Sequence, residues 1–209
     1  MNPQLLLLAL CQGFFMTNNV TFIAINGLVG LSLAPSAWMA TLPVTGYVAG
    51  GALCAGLVGR HQRHWGRKRG FQLGLMVAMA SSALCAYAAW SHNFWLLVAA
   101  TLIAGYYNAN AALYRFAAME LAAPAYKERA ISWVLAGGIL GAVVGPNLAS
   151  ATRAMLPVEF AGAYLALCGV ALASLLTLSF IQFPPLPKPD AARPGRPLRE
   201  IARQPVFVV

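Results

Sequence analysis

Few side chains in these 209 residues could meet a solute, and most of them sit in two apolar segments. Residues 94–119 carry Tyr107, Asn108, Asn110, Tyr114 and Arg115, and residues 4–33 carry Asn18, Asn19 and Asn26. On a helix, Tyr107, Asn110 and Tyr114 recur at i, i+3 and i+7, and Asn108 and Arg115 lie seven apart, so two adjoining stripes make one polar face. Asn19 and Asn26 share a face in the same way. Amides, phenols and one guanidinium suit a small organic solute with hydrogen-bonding groups or a negative charge. The same residues could instead bond helix to helix and only hold a bundle together. Arg115 is the costliest of them, because an intramembrane cation is unfavourable and by default functional. Near the end of its segment it could also snorkel to the headgroups.

Other chemistry finds little support. His61, His64 and His92 fall in connections rather than beside a transmembrane nucleophile, which weighs against an intramembrane enzyme, and no catalytic residue is expected. Cys11, Cys54, Cys85 and Cys168 are far apart in apolar runs, so they read as small hydrophobes rather than as a disulfide framework or metal site. No metal or other cofactor is expected.

The elements that position these residues follow from where charge is missing. Four runs lack any charged residue: 1–59, 70–114, 130–152 and 160–187. A bilayer core of about 30 Å needs roughly 20 apolar residues per helix, so the first two runs hold two spans each and the others one each. The spacing predicts an all-α membrane protein with helices over 4–33, 36–58, 71–90, 94–119, 130–155 and 160–182. The first run lacks a basic leader and continues beyond a signal-peptide core, so it reads as a retained span.

Connections alternate in charge. Arg60 to Arg69, Glu120 to Arg129 and the tail after Phe183 hold 12 of the 14 basic residues. By the positive-inside rule both termini face the cytoplasm. The net charge of +9 is thereby divided among juxtamembrane segments, so anionic headgroups of the bilayer are its expected neighbours and nucleic acid is not. The chain divides into a six-helix domain over 1–183, a Pro/Arg-rich cytoplasmic linker over 184–205, and at 206–209 the beginning of a seventh helix, as expected of a truncated chain.

Small residues add a further pattern. Gly137, Gly141 and Gly145 form an i, i+4, i+8 ridge followed by Pro146, and Gly51, Ala55 and Gly59 do the same in the second span. Such ridges let helices approach closely, and the proline removes a backbone donor and invites a bend.

The segment after the second span reads Gly59-Arg-His-Gln-Arg63-His64-Trp-Gly66-Arg67-Lys68-Arg69. It resembles the signature of the major facilitator superfamily between helices 2 and 3, with Arg63 and His64 standing where the family has Asp-Arg. The end of the fourth span, Glu120-Leu-Ala-Ala-Pro124 with Glu128-Arg129, resembles the family's acidic residue, proline and Glu-Arg before helix 5. The run Gly137 to Pro146 resembles its glycine-proline motif, best known in exporters, without the trailing glycine pair.

The resemblance implies that this chain is the first half of a twelve-helix bundle, a secondary permease working by alternating access in a bacterial-type inner membrane, with efflux as one direction. It implies a cavity lined by spans 1 and 4, a gating loop at Gly59, Gly66, Arg67, Lys68 and Arg129, an Arg67–Glu120 ion pair, and spans 2 and 5 facing the second half. Other readings are a six-helix homodimeric carrier or an accessory membrane subunit, either of which would bury the glycine ridges between copies.

Overall fold

The computed structural model describes residues 2–184, so the expected seventh helix and nearly all of the linker lie outside the described residues. The helices are α1 (Pro3–Leu33), α2 (Leu42–Trp65), α3 (Arg67–Trp90), α4 (Phe94–Ala111), α5 (Tyr114–Leu121), α6 (Lys127–Thr152) and α7 (Ala161–Ser179). There is no strand among the described residues. With α4 and α5 counted together, six segments are long and apolar enough to cross a membrane. Helix is the expected outcome for each, because in hydrocarbon every backbone N–H and C=O must be satisfied within its own segment.

Several boundaries differ from the sequence reading: α2 starts at Leu42 rather than at 36, after a 3-10 turn at Ala37–Met39, and α6 and α7 each end three residues short. The charged connection Arg60 to Arg69 is almost wholly helical: α2 runs to Trp65 and α3 starts at Arg67, leaving Gly66 alone between them. Gly66 has φ +84°, a conformation that favours glycine. Arg63 and His64 therefore lie in the last turn of α2, where the helix dipole favours cations. The fourth span is interrupted at Ala112–Leu113, where Leu113 N–H bonds to the Asn110 carbonyl and Phe116 N–H to that of Leu113, a tightened turn of 3-10 type. The fifth span begins three residues early, at Lys127, and passes through Pro146 without interruption.

The most extensive contacts are α1 with α6 and α2 with α4, followed by α3 with α7. In span numbers these are 1 with 5, 4 with 2, and 3 with 6. Exchanging the first three spans for the last three maps this set of pairs onto itself, the pattern of an internal repeat.

Glycine makes both main crossings. A methyl group on Gly137 or Gly141 would strike the carbonyl of Ala9 or Gly13 on α1, and one on Gly50 would strike that of Leu102 on α4. Gly145 lies against Thr17 and Thr21, whose hydroxyl donates to the Gly145 carbonyl at 2.8 Å. Gly51 faces Asn108 and Gly105. Gly51, Gly137, Gly141 and Gly145 are covered by α4 and α1 within this half, the close packing that such ridges allow. Pro146 is exposed beside the ridge, and the missing side chain of Gly59 would meet nothing within 4 Å.

Candidate functional site

The eight candidate residues of spans 1 and 4 separate into two groups. Five are turned into the bundle. Asn18 donates to the Leu167 carbonyl of α7 at 3.4 Å, and Asn26 accepts from the Tyr164 hydroxyl at 2.8 Å. Asn110 accepts from Gln62 at 2.9 Å and donates to the Gly70 carbonyl at 2.8 Å, so it joins α4 to both α2 and α3. Tyr107 and Tyr114 are buried and pack edge-on against Phe15 of α1, with ring centroids 5.6 and 6.5 Å away. The three asparagines bond helix to helix, whereas the two tyrosines join helices by packing, the Tyr107 hydroxyl being buried without a hydrogen-bond partner among the described residues.

The other three remain accessible. Asn19 is half-buried and accepts from the Tyr47 hydroxyl at 2.8 Å. Asn108 is half-buried beside Gly51 at the α2–α4 crossing. Arg115 is exposed, with its guanidinium 5.1 Å from the centroid of the Phe116 ring. Among the described residues it has no acid within salt-bridge distance. Two amides and a guanidinium can donate hydrogen bonds, the amides can also accept them, and the guanidinium offers one positive charge.

At the end of the bundle where the charged segments gather, the polar side chains form a connected chain. Arg67 Nη2 meets Glu120 Oε1 at 2.7 Å, and Arg67 Nε lies 3.1 Å from both carboxylate oxygens. Its other terminal nitrogen donates to Gln62 Oε1, and Gln62 Nε2 donates to Asn110. Glu120, Arg67, Gln62 and Asn110 thus link α5, α3, α2 and α4. Lys68 Nζ donates to the Ser179 carbonyl at 2.6 Å, placing a cation at the C-terminal end of α7. Arg129 stands apart from this chain, with its guanidinium 5.9 Å from the Tyr126 ring.

Sequence reasoning missed Gln62, Tyr47 and Tyr164, which complete these contacts, and the bond of 2.8 Å between His61 Nδ1 and the Tyr106 hydroxyl. Gln62 carried one available signal, as an uncharged amide within a run of cations and histidines. Among the described residues no group of His, Cys, Asp and Glu is placed to hold a metal ion.

The sequence matches the family model of the Major Facilitator Superfamily over residues 5–209. The chain belongs to the major facilitator superfamily. It is 35% identical to the riboflavin transporter RfnT of Brucella anthropi over 209 residues, which cover 99% of this chain and 52% of that protein. It is 30% identical to the uncharacterized MFS-type transporter YddS of Bacillus subtilis over 126 residues, 60% of this chain and 29% of that one. The chain therefore spans about half the length, or less, of these curated relatives. Its family is one of membrane transporters, not of enzymes.

Proposed function

We propose that this chain is the first six-helix half of a secondary transporter that moves a small planar heterocycle of the riboflavin type by alternating access. The observation that carries this reading is the 35% identity to the riboflavin transporter along 99% of the chain. The three accessible residues support it, because a flavin ring presents carbonyl and ring-nitrogen acceptors to which Arg115 and the amides of Asn19 and Asn108 would donate. A site between two rocking halves takes one wall from each half. The second half closes that wall, both termini lie on the cytoplasmic side of a bacterial inner membrane by the charge bias, and the Glu120-to-Asn110 chain holds the helix ends on which rocking depends.

Growth tests the reading. The complete reading frame, expressed in a riboflavin-auxotrophic bacterium lacking its own riboflavin uptake, should restore growth on low riboflavin and accumulate flavin fluorescence. Arg115→Gln should lower initial uptake at least tenfold while the protein remains in the membrane. Growth no better than the empty vector overturns the flavin assignment. Full uptake by an Arg115→Gln, Asn108→Ala double variant overturns the site.

A further inference from the structure

The α1–α6 crossing leaves a groove on the outer surface of the bundle. On α1 it is lined by Leu6, Leu10 and Phe14; Leu10 and Asn19 are nine residues apart, which puts them on opposite sides of the helix. The groove consists of three hollows in sequence. The first, of about 490 Å³, lies at the charged end among Leu5, Leu121, Tyr126, Arg129 and Trp133. The second, of about 280 Å³, shares Leu5 and Trp133 with the first and adds Ala136 and Leu140. The third, of about 540 Å³, shares Leu6, Ala9 and Leu140 with the second and reaches Val144 and Val170. Gly13, Gly137 and Gly141 line its floor, where the two backbones approach most closely.

This groove is amphiphilic along its length. Its mouth holds the exposed Arg129 guanidinium stacked on Tyr126, with Trp133 at the rim, an aromatic at the level where membrane proteins anchor to headgroups. Below the rim the lining is apolar apart from the Thr17 hydroxyl, which bonds back to the Gly13 carbonyl of its own helix at 3.0 Å. Leu140, in the lower two hollows, remains 72% exposed. The acid next to Arg129 in sequence, Glu128, is not part of the lining. From Arg129 to Val144 the helix rises about 22 Å, more than one leaflet of a hydrocarbon core about 30 Å thick.

We propose that this groove binds one anionic phospholipid, with its phosphate on Arg129 between Tyr126 and Trp133 and one acyl chain laid along α1 and α6 toward Val144. The charge at one end and the hydrocarbon walls below it match an amphiphile and suit neither a soluble anion nor a neutral tail. The site is separate from the solute wall and does not depend on the identity of the solute.

Retained lipid tests the proposal. The full-length transporter is equilibrated in nanodiscs of equal phosphatidylglycerol and phosphatidylcholine, transferred to mild detergent, and analysed by native mass spectrometry. One surface cation acting on an anionic lipid predicts about a fivefold preference for phosphatidylglycerol. Arg129→Gln should abolish that preference, whereas Arg63→Gln, an exposed cation at the same end outside the groove, should leave it. Ala136→Phe, which fills the second hollow at an exposed position, should lower retention of both lipids with the charge unchanged. Equal retention of the two lipids overturns the proposal. So does a preference that survives Arg129→Gln, an equal loss in Arg63→Gln, or displacement of the lipid by millimolar glycerol phosphate, which would mark a site for the soluble headgroup alone.

Discussion

Two arginine–glutamate pairs sit in different surroundings in this half. Arg67 and Glu120 are 53 residues apart in sequence, have side chains 18% and 28% exposed, and meet through two guanidinium nitrogens. Arg153 and Glu159 are six residues apart, 57% and 54% exposed, and close a local turn in which the guanidinium also lies 5.1 Å from the Phe160 ring. The same functional groups therefore do different work. Exposed pairs contribute little because water competes and two long side chains must be held still. The first pair differs because Arg67 also bonds Gln62, which bonds Asn110, so that removing one charge leaves its partner half-buried and loosens four helices together.

Variants can break this contrast. The largest effect is expected from Glu120→Ala, which leaves Arg67 uncompensated and should cost about 2 to 3 kcal/mol in mixed-micelle unfolding, with transport reduced at least tenfold. A charge exchange, Arg67→Glu with Glu120→Arg, should recover part of the stability if the pair itself is what matters; no recovery would assign the effect to the Gln62 bond. Asn110→Leu removes two buried bonds and crowds Gly74, and should cost about 1 to 2 kcal/mol by the same measurement. Arg153→Ala should change stability by less than about 0.5 kcal/mol, and a loss as large as that of Glu120→Ala would erase the distinction.

The contrast also marks what the sequence could disclose. Six spans were legible because charge is absent from long runs, and lipid permits few other structures for such runs. The end of α2 was not legible, because Arg60 to Trp65 look like a loop to a hydropathy argument while their backbone continues the helix. The polar faces were legible as faces, but a 3.6-residue period cannot say whether a stripe meets solute or a neighbouring helix. Asn110 is buried against α2 and α3, while Asn108, two residues away on the same span, stays half-buried beside Gly51. Gly51 and the Gly137 to Gly145 ridge meet α4 and α1, whereas Gly59 meets nothing within 4 Å, since spacing identifies a surface and not what covers it.

Gly66 has a mechanical consequence. Consecutive α-carbons are 3.8 Å apart, so with one residue between Trp65 and Arg67 the ends of α2 and α3 can never separate by more than about 7 Å. At the opposite end of the bundle, α6 and α7 are joined through residues 153–160 and have slack to spare. Displacement of α2 must therefore pull α3 with it, and through Lys68 the tether extends to the end of α7. The connection works as an inextensible link, and the distance between helices at this end is limited by covalent bonds before any weaker force is considered.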